Sequence, residues 1–229
     1  MDQKMPLGPS EKSAAEMEAE NLARLDQRLW QAAHTGSAEE IDALLQKGAS
    51  GNFRGNCDLT PLMAAATCKN NAACLRLIRA SDPNAVDRYG RSALMLACAN
   101  GADESARALA KISRINDQDC DGWTALSYAA RMNQPACGLA LAKEGAADLP
   151  DLFGVTALIA AADRGCRELV EELLGRKAVD KSEVLRAEEK ARESGHGDVA
   201  DLIAAHVERS ALIRSTEGRG TAPKARGRL

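Results

Sequence analysis

The sequence predicts an all-α helical solenoid with β-turn or hairpin fingers, and three observations carry that prediction. Four segments align without gaps: Thr60-Pro-Leu-Met-Ala-Ala-Ala66, Ser92-Ala-Leu-Met-Leu-Ala-Cys98, Thr124-Ala-Leu-Ser-Tyr-Ala-Ala130 and Thr156-Ala-Leu-Ile-Ala-Ala-Ala162, each 32 residues after the last. Each opens on Thr or Ser ahead of an Ala-rich run, as an N-cap opens a helix. Nine residues after each cap stands a helix stop: Gly101 and Gly165 in two units, Lys69 and Asn133 in the others. A period this long marks stacked supersecondary units rather than a compact fold.

The rest of each unit follows in order. A second amphipathic run comes after the stop; in the fourth unit it is Glu168-Leu-Val-Glu-Glu-Leu-Leu174, closed by Gly175. A polar turn then leads into the next unit: Asp87-Arg-Tyr-Gly90, Asp119-Cys-Asp-Gly122 and Asp151-Leu-Phe-Gly154. Asp at the first position and Gly at the fourth suit the tip of a hairpin. Each unit therefore reads as turn, helix, short loop, helix. In the third unit Gly138 falls inside the second helix, where it costs about 1 kcal/mol relative to Ala.

The pattern resembles the ankyrin repeat family, whose unit of about 33 residues holds a β-turn and two antiparallel helices. Thr60-Pro61-Leu62 matches the run that opens the family's first helix, and the other three units keep the Leu and replace Pro with Ala. The family's His after that Leu is replaced by Met63, Met95, Ser127 and Ile159. Upstream, Ala32-Ala-His-Thr-Gly36 followed by Ile41-Asp-Ala-Leu-Leu45 fits a first unit. Downstream, Ala191 to Ile203 resembles the family's Gly-His-x-x-Val run, behind a highly charged helix near residues 181–193 that suits a terminal cap. The resemblance implies about six units including caps, over residues 26–206.

The flanks differ in composition. Residues 1–25 are polar, yet Ser13 with Glu16 forms a capping-box signature, and a helix from about Ala14 would place Leu22, Leu25 and Leu29 on one face. Such a helix would cover the open end of the stack; a frayed tail is the competing reading. Residues 207–229 read as a basic disordered tail, with six Arg or Lys against one Glu from Arg209 onward.

Composition narrows function. The chain has 229 residues, 45% of them hydrophobic, which is ample for a core. A net charge of −3 argues against a dedicated nucleic-acid binder. No apolar run long enough to span a membrane is present, and Met1 to Asn21 carries no apolar signal segment. Seven Cys, an odd count in loose spacing, suit a reduced intracellular chain, cytoplasmic or nuclear. Cys57 and Cys120 lie in turns and are expected to be the exposed thiols, with Cys98 a core residue.

Catalytic and cofactor signatures are absent from the sequence. There is no phosphate-binding Gly-x-x-x-x-Gly-Lys loop, no His-Glu-x-x-His and no Gly-x-Ser-x-Gly elbow. His34, His196 and His206 fall at helix ends or caps, and Cys68 and Cys74 lack a His to complete a metal site. The expectation is a non-enzyme without cofactor, metal or small-molecule substrate.

The aromatics point to binding. Phe53, Tyr89, Trp123 and Phe153, four of the six, lie in or beside the turns. A recurring position becomes a line along a stack, and exposed Tyr and Trp are interface anchors. Arg91 borders that line. The family resemblance adds a second contact zone, the inner face of the first helices, which here holds Met63, Met95 and Arg131. Packing against neighbouring hairpins is the alternative for the rings, and filling the volume of the absent His is the alternative for Met63 and Met95. The resemblance implies a monomeric protein–protein interaction module or adaptor with an unidentified protein partner. A regulatory or targeting subunit of an enzyme complex is a second reading. Association of the basic tail with nucleic acid or an anionic membrane is a third.

Overall fold

The computed structural model describes residues 13–176 and 180–217, with side chains to residue 210. Twelve helices fill the described residues, in six antiparallel pairs. They are α1 (Ala14–Thr35) with α2 (Ala38–Gln46), α3 (Pro61–Thr67) with α4 (Asn71–Leu77), and α5 (Ala93–Asn100) with α6 (Asp103–Ala110). Then come α7 (Ala125–Arg131) with α8 (Pro135–Lys143), α9 (Ala157–Asp163) with α10 (Arg167–Leu174), and α11 (Lys181–Glu193) with α12 (Gly197–Glu217). Between units, odd-numbered helices pack on odd-numbered neighbours along one layer and even-numbered ones on even-numbered neighbours along the other, while within each unit the two helices pack on each other. The core is the seam between the two layers.

The caps explain why each short inner helix starts where it does. The hydroxyls of Thr60, Ser92, Thr124 and Thr156 accept the backbone N–H three residues on, at 3.2–3.4 Å. Met63 and Met95 answer in the other direction, their thioether sulfurs facing the N–H groups of Thr60 and Ser92 at 3.5 and 3.4 Å. These helices are buried almost all round, as an inner layer of Ala allows. Pro61 through Ala66 are all buried, as are Ala157 through Ala162.

The stops after the first helix of these four units all adopt left-handed backbone, Gly101 and Gly165 at φ 68°, Lys69 at 56° and Asn133 at 51°, whereas Gly175 closes its second helix in right-handed backbone at φ −67°. In each, the next N–H reaches back to a carbonyl five residues earlier, as in Asn70 to Ala65 and Gln134 to Ala129. That closes the first helix and turns the chain into the second. Gly138 has a packing reason that the sequence did not show: a Cβ there would lie 2.8 Å from Leu169 Cδ2, so its bareness lets α8 approach α10.

Both flanks depart from the expected boundaries. The capping box at Ser13 and Glu16 is formed, and α1 runs without a break through residue 25. Leu29 is buried and Leu25 half-buried against the core, but Leu22 is exposed, so the apolar face of α1 meets the core only from about Leu25 onward. At the other end α12 continues past residue 206 to Glu217, so the start of the expected disordered tail is helical. The remainder, 218–229, and residues 1–12 lie outside the described residues.

Candidate interaction surfaces

The fingers are built by one repeated device. Asp87 Oδ1 accepts the N–H groups of Tyr89 and Arg91, both at 2.9 Å. Asp119 Oδ1 accepts those of Asp121 and Trp123 at 3.0 and 2.8 Å, and Asp151 Oδ1 those of Phe153 and Val155 at 2.8 Å. Gly90, Gly122 and Gly154 complete each turn at φ 78°, 81° and 71°. An antiparallel bridge between Val86 and Ser92 marks the legs of one finger. Neighbouring fingers are also bonded: Cys120 N donates to Tyr89 O at 3.0 Å and Leu152 N to Asp121 O at 3.2 Å. Braced within and between fingers, the tips form a row.

The first finger inverts the device. Gly55 stands 32 residues before Asp87, and Asp58 takes the glycine position at φ 61°. A Cβ at Gly55 would lie 2.4 Å from the Trp30 ring, whose Nε1 donates to Leu59 O at 3.1 Å. Arg54 braces the turn through the carbonyls of Asp58 and Val86.

The predicted contact residues separate into three groups. Tyr89 and Phe153 stand at finger tips and are 52% and 81% exposed. Leu152, beside Phe153 in the turn Asp151-Leu-Phe-Gly154, is 72% exposed and is an aliphatic tip residue outside the aromatic set. Phe53 is half-buried, ahead of the first finger.

Trp123 does not belong to the tip row. It follows the turn glycine, in the column of Arg91 and Val155 rather than that of Tyr89 and Phe153. It is half-buried, with the Tyr128 ring edge-on at 5.1 Å and the Arg131 guanidinium 3.8 Å above its centroid. Arg131 also faces Asp151 Oδ2 at 3.8 Å. Arg91 is held by Asp87 at 2.7 Å and lies 4.9 Å over Tyr89. Both arginines brace fingers. Tyr128 donates its hydroxyl to Asp119 Oδ2 at 2.7 Å, and burial together with that carboxylate holds its pKa well above the ordinary phenol.

Met63 and Met95 are corrected outright. They are 0% and 1% exposed and fill the seam behind their own caps, so they line no contact surface. The inner face instead offers a groove of about 400 Å³ walled by Arg131, Val155, Ile159, Arg164 and Arg186.

The thiols and imidazoles show no reactive arrangement. Cys120 and Cys68 are exposed and Cys57 half-buried; Cys68 was not foreseen. Cys74, Cys98, Cys137 and Cys166 are buried. Burial pushes Cys74 up to about 11, and the neighbouring Cys137 with burial raises Cys98, both away from the thiolate. His34 bonds the Trp30 carbonyl, and His196 packs over Gly165. Among the described residues no three His, Cys, Asp or Glu side chains converge as a metal site, and no helix is long and apolar enough to cross a membrane.

A family model described as ankyrin repeats, three copies, matches residues 29–119, 68–149 and 111–184. The chain belongs to the ankyrin repeat family. Ankyrin repeats generally mediate protein–protein interaction, and the family is typically non-enzymatic. No curated protein matches the chain.

Proposed function

We propose that this ankyrin-repeat chain is a binding adaptor that engages a protein partner through its finger-tip row, with the groove beside Arg131 as the adjoining contact. The observation that carries this reading is the exposure of Tyr89, Leu152 and Phe153 on fingers braced by Asp-to-amide hydrogen bonds and by backbone bonds to neighbouring fingers. Large apolar groups held rigidly in water lose little entropy on docking, and aromatic anchors concentrate binding energy. Trp123, Arg91 and Arg131 set the shape of the row from beneath.

The test is affinity capture from cell extract with wild type beside a Tyr89→Ser, Leu152→Ser, Phe153→Ser variant matched in circular dichroism and melting. A protein retained by wild type and lost by the variant is expected. Equal capture by both would remove the tips from the binding surface. Trp123→Ser is expected to lower the melting temperature, because it strips the ring from between Tyr128 and Arg131.

A further inference from the structure

The back of the stack carries a second periodic feature. Lys47, Arg79, Lys111 and Lys143 are spaced by 32 residues and lie at or just past the C-terminal ends of α2, α4, α6 and α8. All four are exposed, and among the described residues none is in a side-chain hydrogen bond or ion pair. A cation at a helix C-terminus complements the helix dipole, which accounts for the sign of the column. It does not account for the surface beside it. Between α6 and α8 runs an open groove of about 500 Å³ walled by Arg107, Lys111 and Lys143, with Ala136, Leu139 and Ala140 as its floor. Glu144 is its one carboxylate.

Two other grooves along the same layer differ. Between α2 and α4 the cation Arg76 is paired with Asp42 at 3.6 Å, which leaves Arg79 as the one cation of that groove outside an ion pair among the described residues. Between α10 and α12 the cation column has ended: Gly175 stands where Lys143 stood one unit earlier, and Glu171 stands in the column of Arg107. Among these three grooves, the α6–α8 groove is the one that gathers three cations outside the ion pairs of the described residues around a small apolar floor, against the single carboxylate of Glu144, in a chain whose overall charge is −3.

We infer that the α6–α8 groove docks an acidic, amphipathic peptide segment of a partner protein. Its carboxylates meet Arg107, Lys111 and Lys143, and an aliphatic side chain enters over Ala136, Leu139 and Ala140. The recessed floor selects a chain with apolar side chains over a bare polyanion. None of the lining residues is aromatic, which sets the groove apart from the stacking platforms of single-strand nucleic-acid binders. The site lies on the outer helices, remote in the repeat from the finger tips, so it stands or falls independently of the finger-row reading.

The test is fluorescence anisotropy on the full chain with a labelled helical peptide of Glu and Leu at i, i+3 and i+4 spacing. Parallel arms use the same peptide with Ser for Leu, a single-stranded oligonucleotide, and phosphatidylserine vesicles. Saturable binding of the Glu/Leu peptide that weakens with salt is expected. Arg107→Glu with Lys111→Glu and Lys143→Glu should weaken it by about tenfold or more. Ala140→Trp, which fills the floor without changing charge, should weaken it by about fivefold, and Lys47→Glu should leave it within about twofold. Lys143→Glu alone serves if the triple variant does not fold. Absence of peptide binding, insensitivity to both the charge and the floor variants, or equal preference for the Ser peptide, the oligonucleotide or the vesicles would each overturn the assignment.

Discussion

The central repeats and the C-terminal unit use the same periodic positions with opposite effect. In the centre, an asparagine ladder ties each unit to the next. Asn52 Oδ1 accepts Asp82 N–H at 2.7 Å, Asn84 accepts Arg114 N–H at 2.7 Å, and Asn116 accepts Ala147 N–H at 2.8 Å. The next member of that column, 32 residues on, is Asp148. It accepts Ala157 and Leu158 N–H at 2.6 and 3.0 Å. The finger column changes as well. Asp87, Asp119 and Asp151 each brace a turn, whereas the following member is Glu183 on α11, which takes the Thr156 hydroxyl. The two columns come together here, with the Glu183 carboxyl close enough to that of Asp148 to shift its ionisation. Burial and the Glu183 charge push Asp148 up to about 7. Around the pair, Arg176 spends its guanidinium on the carbonyls of Ala142 and Ala146, while Asp180 and Lys181 on α11 are exposed. A carboxylate is thus a brace where its partners are N–H groups and a liability where its partner is another carboxylate.

The largest expected effect lies on the bracing side. Asp119→Ala removes the acceptor of two backbone N–H groups and of the Tyr128 hydroxyl together. Such a network is worth more than one bond, so the loss should be roughly 3 kcal/mol, or a fall of about 6–12 °C in Tm. Urea and thermal melts of the variant measure it. An unchanged midpoint would mean that the finger turns are held by their glycines and stacking alone.

The opposite sign is expected at Asp148. Its folded pKa is raised above the unfolded value near 3.8, so the folded state binds the shared proton more tightly. No penalty exists below about pH 4; it grows as pH rises toward 7 and is complete above that. Asp148→Asn restores the residue of the ladder, keeps an acceptor for the α9 amides and gives Glu183 an N–H donor. The variant should be more stable than wild type at pH 8, by on the order of 2 kcal/mol, and the gap should close by pH 4. Hydrogen exchange in α11 locates the gain. Parallel pH–stability profiles for the two proteins would dissolve the carboxyl pair as an explanation.

These contrasts show what a sequence can carry. Caps, stops and finger turns were legible because each depends on residues a few positions apart: Thr60 with Met63, Asp87 with Arg91, Gly101 with Ala97. Six helix pairs followed from the period. The site was legible only in part. Tyr89 and Phe153 sit at turn tips, where exposure follows from local geometry. Trp123 sits two residues beyond the tip of its own turn, and its inward direction depends on Tyr128 and Arg131. Met63 and Met95 were ambiguous because a thioether serves a cap, a core or a surface equally well. Asp148 carries no local signal of its role, which depends on Glu183, 35 positions on. The extent of α12 was hidden by a composition that describes the tail as a whole.

The smallest effect separates acidity from the acid pair. Asn116 is exposed, and its Oδ1 serves the Ala147 amide from outside the core. Asn116→Ala should cost about 1 kcal/mol, since Ala147 N–H then loses its partner at a half-buried position. Asn116→Asp keeps the acceptor and meets no facing carboxylate of the kind Glu183 presents to Asp148. It should therefore cost less than half as much at pH 8 and show no added pH dependence between 5 and 8, by the same linkage argument. Melts of both variants across that range decide the matter. If Asn116→Asp destabilises as pH rises, a carboxylate in this column is unfavourable by itself, and Glu183 is not what makes the C-terminal unit different.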